Sequence, residues 1–504
     1  MVDGATEERL SRGELAERSA ALAAGLVSRG IGGGDIVAVA MPNLAWWPVV
    51  VLGVWRAGAA LASLNPTWTA AEMGRLLVRV RPRLGIAFGP VAQPLGRALS
   101  EAGIDAEVAV LGEARALTPL APLLIDGEDP FTEPPVSADD LAAVPFSSGV
   151  GGLPKGVRHT HRALSAVSAQ VATQHEYTSE AVVLAGAPVF NAMGLVAALC
   201  TPLGAGAAIV TVPKPTTKRT LELIAAHRVT HAILPPTIVD EIAAAPAAER
   251  HDTSRLGLVV TGGDNVPAAP QRCAGQRLDA LVRQAYGMTE ALAISATLVD
   301  RPSDPETVGW LAAGTEARLV DPERGGDVAP GQPGELWIRG PQVMDGYHED
   351  PRATAATITA DGWLRTGDLV RIRDDGQLVI EDRLKELIKV KGASIAPAEL
   401  ELVLREHPAV DEACVVGRPD PRRGEVPVAW VVLSGAATEE ELVSFVRARV
   451  AAHKRVHDVR IVDELPRVPS GTPVWRELRD RERDHGITSA SARSISVSER
   501  SEEG

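Results

Sequence analysis

The stretch SSGVGGLPKG, Ser147 to Gly156, decides how the rest of this chain reads. An apolar run, Leu141 to Phe146, precedes it and reads as a short buried strand. Four glycines, a proline and a lysine then fall within ten residues. Glycine lets successive backbone N–H groups turn inward, a ring of such groups binds an anion, and a lysine adds a point charge. After Gly156 the pattern VRHTHRALSAVSAQV is helical. Strand, anion loop and helix therefore follow one another, with a phosphate as the expected ligand. Taken alone, the stretch fits a mobile Gly-rich surface loop with an exposed lysine equally well.

On either side of this loop the chain alternates helix and strand patterns. Gly13 to Arg29 is amphipathic, Ile36 to Met41 is a buried strand, and Trp46 to Ala57 is a helix. The strand ALASLNP, a helix from Thr69 to Val80 and the strand LGIAF come next. Such alternation predicts an α/β fold with mostly parallel sheets and helices on both faces.

Composition sets limits on what the chain does. A length of 504 residues exceeds one ordinary core, so two or more domains are expected. Hydrophobic residues at 45% and charged residues at 23% are the balance of a soluble globular protein. The apolar run Trp46 to Val54 is too short for a membrane span, and the charged start MVDGATEERLSRGE has no apolar signal core. The cysteines Cys200, Cys273 and Cys414 match no metal spacing, so a reduced, cytoplasmic setting is expected. A formal charge of −14 argues against nucleic acid or an anionic membrane as partner. An anionic substrate must then be held by local positive sites.

The loop is not the common nucleotide loop G-x-x-x-x-G-K-[ST], because Lys155 lies between Pro154 and Gly156. It resembles the phosphate loop of the adenylate-forming enzymes, close to [ST]-[ST]-G-T-T-G-x-P-K-G, through Ser147, Ser148, Gly149, Gly152 and Lys155. That superfamily contains acyl-CoA synthetases, coumarate–CoA ligases, peptide-synthetase adenylation domains and luciferases. The opening GGGDIVAVAMPNLAWWPVVVLGVWRAGAALASLNP also resembles an acyl-CoA synthetase. The loop departs from the pattern at Val150 and Gly151, where the family has hydroxyl residues facing the β- and γ-phosphates of ATP. Valine and glycine have no side-chain donor.

Further motifs carry the same resemblance. VVLAGAPVFNAMGL (Val182 to Leu195) is similar to P-x-F-H-x-x-G, with Asn191 in place of a histidine that lies between acyl pocket and CoA channel in related ligases. Asparagine keeps hydrogen bonding but does not titrate near neutrality. The small apolar run after it suits either a bulky acyl group or close helix packing. LVVTGGDNVP reads as a strand ending in Gly262 and Gly263, beside the adenine in the family, with Asp264 at a position where the family often has a small residue. Tyr286, Gly287, Met288, Thr289 and Glu290 match Y-G-x-T-E. The resemblance implies an aromatic stack on adenine, a phosphate contact from Thr289, and Glu290 on Mg²⁺ when ATP is bound.

Asp368, in Trp363-Leu-Arg-Thr-Gly-Asp368, is implied to accept from both ribose hydroxyls. Asp382 to Lys389 resembles the family's inter-domain hinge, with Arg383 near the ribose or α-phosphate, Lys385 at the pivot, and Lys389 and Gly392 on the thioester-forming face. Helix and strand patterns beyond it predict a small α+β module. The expected organisation is an acyl- and AMP-binding domain over residues 1–382, a mobile domain over 383–480, and a disordered Ser-rich tail over 481–504.

The family's P-[RK]-x-x-S-G-K ends here as Leu465-Pro-Arg-Val-Pro-Ser-Gly471-Thr472. Thr472 stands where the adenylation lysine is expected, and no lysine occurs after Lys454. Arg467 and Arg476 are the cations available to substitute, although a planar guanidinium replaces a compact ammonium poorly. In the family, carboxylate and ATP first give acyl-AMP and pyrophosphate, and CoA then displaces AMP. The AMP contacts are kept and the ATP contacts are lost twice. The chain thus resembles the non-adenylating CoA ligases of bacterial natural-product pathways, such as platensimycin-type diterpenoid biosynthesis. That implies CoA as co-substrate, a carboxylic acid arriving as acyl-AMP, a separate adenylating partner, and Mg²⁺ only if ATP is used. A complete ATP-dependent synthetase, a carrier-protein ligase and a non-catalytic binder of AMP or acyl-AMP are the alternatives.

Overall fold

A computed structural model describes residues 1–112, 118–119, 123, 132–147, 154–245, 251–263, 266–302, 304–322, 324–383, 387–466 and 478–483. The chain divides into two compact units, one holding Met1–Ser147 and Lys155–Leu384, the other holding the chain from Lys385 onward.

The larger unit contains three sheets among the described residues. At the centre of the first, Ile36–Ala40 pairs in parallel with Ala60–Leu64 and with Leu84–Phe88. All five residues of Ile36–Ala40 are buried, as expected for a strand covered on both faces. Helices Arg12–Val27 and Ala70–Val80 each open with a capping box, Ser11 with Glu14 and Thr69 with Glu72. Each such cap contributes about 1 kcal/mol.

The second sheet runs Val2–Asp3, Ala208–Thr211, Val182–Ala185, His231–Ile233, Leu258–Gly262, Leu281–Tyr286, parallel throughout, and then closes with two antiparallel strands. The third is antiparallel: Glu316–Val320, Gly334–Arg339, Leu364–Ile372, Leu378–Arg383. The α/β expectation holds in a mixed form: helices accompany two sheets that are mainly parallel and a third that is antiparallel, and a smaller domain follows.

One local expectation is corrected. Lys155–Thr160 is a strand, not the start of a helix, and it pairs antiparallel with Leu141–Ala143 and with Phe146–Ser147. Val157 and His159 are buried while Arg158 and Thr160 are only partly so, a period of two that sheet pairing selects. The helix begins at His161, with the Thr160 hydroxyl accepting from the Ala163 N–H. The anion stretch therefore joins two antiparallel strands.

A buried asparagine fastens the end of strand Val182–Ala185. Asn43 donates to the carbonyls of Ala185 and Ala187 at 2.9 and 2.8 Å and accepts from the Val189 N–H at 2.8 Å. Ser63 donates to the Phe190 carbonyl at 2.8 Å. Beyond this anchorage Gly194–Cys200 forms a π-helical segment, a geometry common at functional sites.

In the smaller unit, Val410–Asp420 and Gly424–Leu433 form a long hairpin. Ile388–Val390, Ala393–Ile395 and Asp458–Ile461 extend its sheet, and helices Pro397–Arg405 and Glu439–Arg447 accompany it. Lys454 and Glu399, both about 6% exposed, form an ion pair at 2.7 Å within this unit. Removing one partner of such a pair typically costs about 3–5 kcal/mol. Residues 478–483 are helical, and Glu482 is fully buried against Arg418 and Arg460. This helix spans the boundary expected at residue 480.

Candidate functional site

The strand Leu281–Tyr286 ends at the core of the candidate site. Tyr286 is 5% exposed and donates its hydroxyl to Oδ2 of Asp368, 1% exposed, at 2.5 Å. Asp368 lies on the strand Leu364–Ile372 opposite Arg383 on Leu378–Arg383. Its backbone N–H donates to the Thr366 hydroxyl, which donates in turn to the Leu336 carbonyl at 2.7 Å. The third sheet thereby holds the Asp368 backbone while Tyr286 holds its carboxylate.

Gly262 ends the neighbouring strand. A Cβ there would lie 2.5 Å from the Ala285 carbonyl oxygen and 3.6 Å from Met193 Sδ, so only glycine lets these segments approach. The contact brings the segment after Asn191 beside the end of the second sheet. Asn191 is exposed, and its backbone carbonyl accepts from the Leu195 N–H at 2.9 Å just before the π-helical turn. Gly263 follows at φ +84.

Beyond Tyr286 the chain turns through Gly287 and Met288, whose carbonyl accepts from the N–H groups of Ala291 and Leu292 at 3.1 and 2.7 Å. Two bonds tie the next pair of residues to the strand after the anion stretch. His159 Nε2–H donates to the Thr289 carbonyl at 2.7 Å. Tyr347, paired with Val157 on that strand, donates its hydroxyl to Glu290 Oε1 at 2.8 Å. Lys155 Nζ lies 4.9 Å from the centroid of the Tyr347 ring.

The protonation states follow from burial. Burial pushes the His159 imidazole down to about 4, so it is neutral near pH 7 with its proton on the nitrogen facing Thr289. Burial, and then the Glu290 charge, push the Tyr347 phenol well above its ordinary value, so it remains a donor. Ser147 Oγ is buried with no hydrogen-bond partner among the described residues.

Tyr286, Met288, Thr289, Glu290, Gly262, Asp368, Lys155 and Ser147 thus belong to one unit. In the other unit, the Lys389 backbone N–H donates to Glu425 Oε2 at 2.7 Å, and Gly392 sits at φ +80 in the hairpin turn that follows. Ser148, Gly149, Val150, Gly151, Gly152, Asp264, Lys385, Arg467, Thr472 and Arg476 lie outside the described residues, as does the side chain of Arg383.

Glu290 suits a hard cation. Tyr347 takes one carboxylate oxygen, and no described residue donates to the other. No group of three or more His, Cys, Asp or Glu residues able to hold a metal occurs among the described residues. Mg²⁺ is commonly held by one or two carboxylates together with substrate phosphates, which needs no such group. No helix among the described residues is long and apolar enough to cross a membrane.

Sequence reasoning missed Tyr347, His159 and Asn43. The available signal for Tyr347 was scarcity: it is one of three tyrosines in the chain, set in the polar segment MDGYHED.

Comparisons with known proteins identify the family. Residues 1–348 match the family model for AMP-binding enzyme, and residues 399–472 match that for AMP-binding enzyme C-terminal domain. A 4-coumarate–CoA ligase 5 of Oryza sativa subsp. japonica is 37% identical over 494 residues, 95% of this chain and 90% of that protein. A 4-coumarate–CoA ligase 1 of Petroselinum crispum is 36% identical over 501 residues, with the same coverage. Among solved structures, the amide bond synthetase McbA from Marinactinospora thermotolerans aligns with a TM-score of 0.83 and 30% identity, over 94% of this chain and 95% of that one. A malonyl-CoA ligase in a ternary product complex with methylmalonyl-CoA and AMP aligns with a TM-score of 0.77 and 31% identity, over 92% of this chain and 96% of that one.

Proposed function

This chain belongs to the AMP-binding enzyme family, and from that premise we propose that it is an acyl-CoA ligase specialised for the second half-reaction. The enzyme is an acid–thiol ligase of the adenylate-forming class. In the proposed step the CoA thiol attacks the carbonyl of acyl-AMP. The C–S bond forms, the acyl C–O bond to phosphate breaks, and AMP leaves with that electron pair while the thiol proton goes to solvent.

The observation that carries the specialisation is Thr472, which ends the P-R-V-P-S-G-T run where the family has a lysine. Charge builds on the phosphoryl oxygens when pyrophosphate is expelled, so a preorganised ammonium matters most in adenylation. Val150 and Gly151 remove two further donors from the same half-reaction. Tyr286, Asp368, Arg383, Lys389 and Gly392, which serve AMP and CoA transfer in the family, are all kept. On this reading a separate enzyme in the cytoplasm supplies the acyl-adenylate, as in the natural-product ligases that the sequence resembles.

A second reading, a complete ATP-dependent ligase, is favoured by one arrangement: Lys155, Tyr347 and Glu290 are still joined. The 4-coumarate–CoA ligase relatives are in line with it. ATP–pyrophosphate exchange with a panel of acids separates the two. The first reading expects little exchange from the natural chain, a small gain from Thr472→Lys, and a larger gain from Thr472→Lys with Val150→Thr and Gly151→Thr. Full exchange by the natural chain supports the second. An amine acceptor belongs in the same panel beside CoA, given the likeness to an amide bond synthetase.

A further inference from the structure

Tyr347 lies outside every motif that the sequence assigns to chemistry, yet it touches two groups that those motifs supply. Its hydroxyl donates to Glu290 Oε1 at 2.8 Å, and its ring lies under the Lys155 ammonium at 4.9 Å. We propose that Tyr347 is a positioning residue for a cation-bound triphosphate. Its hydroxyl fixes the Glu290 carboxylate by one oxygen and leaves the other for the cation, while its ring holds Lys155 near that carboxylate. The proposal rests on the reading that Glu290 meets Mg²⁺ when ATP binds.

The residue is built for such a role. The short strand Gly346–Tyr347 pairs antiparallel with the strand that carries Lys155, in a register that sets Tyr347 opposite Val157. The Tyr347 N–H donates to the Thr354 hydroxyl at 2.9 Å. On either side, the Met344 N–H donates to the Glu290 carbonyl and the His348 N–H to the Gly156 carbonyl, each at 2.8 Å. The segment around the tyrosine is therefore tied both to the glutamate it orients and to the strand whose lysine it underlies. Tyr347 is 8% exposed and its bond to Glu290 is buried and charge-assisted, which makes it a strong one.

Hydroxyl and ring make separable contributions. The hydroxyl acts through the carboxylate, so its loss weakens only cation-dependent binding. The ring acts through the ammonium, so its loss weakens ATP binding with or without the cation. A tyrosine that merely fills space makes no such distinction.

Calorimetry on the full-length protein tests this without turnover, so its outcome does not depend on whether adenylation is fast or slow. ATP affinity is measured with Mg²⁺ and in EDTA, and AMP affinity is measured on the same preparations. The wild type binds ATP more tightly with Mg²⁺ than in EDTA. Tyr347→Phe loses about tenfold or more of that gain, the usual effect of removing a residue that orients a metal ligand, with AMP affinity unchanged. Tyr347→Leu also weakens ATP binding in EDTA. Glu290→Gln abolishes the gain, and adding Tyr347→Phe to it costs nothing more. A full Mg²⁺ gain in Tyr347→Phe, beside a lost gain in Glu290→Gln, overturns the role of Tyr347. Loss of AMP affinity in Tyr347→Phe reduces the residue to a structural one and overturns it as well. No Mg²⁺ gain in the wild type, or a full gain in Glu290→Gln, overturns the cation role of Glu290 and the proposal with it.

Discussion

Tyr286 and Asp368 are joined by a 2.5 Å hydrogen bond that links two sheets across 82 residues of sequence. The resemblance assigns the tyrosine to adenine and the aspartate to ribose. Their bond makes the two contacts one mechanical unit, because the carboxylate cannot turn without losing its donor.

Asp368→Asn should weaken AMP binding by about 10- to 100-fold, since a hydrogen bond to a charged group contributes about 1.5–3 kcal/mol. Tyr286→Phe should weaken it less and should also lower the melting temperature, because buried Asp368 loses a donor. The two losses should not add, as expected for groups in contact. Calorimetry and thermal melts on both variants and their combination check this. Additive losses would mean that the pair acts as two independent contacts.

His159 gives the larger unit a dependence on acid. Its imidazole titrates near 4 when folded, below its ordinary 6.5, chiefly because burial disfavours the charged form. A lowered histidine value means that the unfolded chain takes up the proton first. The stability is complete above about pH 6.5 and is lost progressively as the pH falls toward 4. By pH 5 the loss is about 2 kcal/mol. Urea unfolding at pH 7 and pH 5 should show at least this loss in the natural chain, since burial lowers His175 as well, and a smaller one in His159→Gln, which keeps a donor for Thr289. Equal pH dependence in both would assign the acid sensitivity elsewhere.

Metal removal should spare the second half-reaction. Thioester formation from acyl-AMP expels no pyrophosphate, so turnover with synthetic acyl-AMP and CoA should survive EDTA. A strict Mg²⁺ requirement in that assay would contradict the proposed division of labour.

The hinge makes its own prediction. Lys385→Pro fixes φ and removes an N–H at the expected pivot. It should abolish CoA transfer while leaving AMP affinity nearly intact. Unchanged transfer, followed as AMP release from acyl-AMP, would move the pivot elsewhere or dispense with it.

Much of the fold was legible because its signals are local. The buried strands Ile36–Ala40 and Leu258–Gly262 are near-continuous apolar runs, which mark strands of a covered parallel sheet. The helix Glu439–Arg447 announces itself through its capping box, Thr438 with Glu441. Lys155–Thr160 misled because its alternation is short and merges with the helical pattern that starts at His161. Val2–Asp3 gave no signal, since a two-residue strand is defined by its partner, Ala208–Thr211, and not by its own sequence.

The candidate site was legible where residues stand in motifs and illegible where contacts join residues from distant segments. Tyr286, Glu290 and Asp368 stand in motifs of fixed spacing. Tyr347 meets Glu290 from 57 positions away, and His159 meets Thr289 from 130. No local pattern encodes such pairs, because sheet order alone brings them together.

The most direct test compares the two half-reactions on one preparation of the natural chain. Pyrophosphate release is followed with Mg·ATP and a panel of carboxylic acids, and AMP release is followed with the matching synthetic acyl-adenylates and CoA. Rapid AMP release, with pyrophosphate release slower by roughly a hundred- to a thousand-fold for every acid, is the predicted result. Pyrophosphate release that keeps pace with AMP release for any one acid would contradict the account.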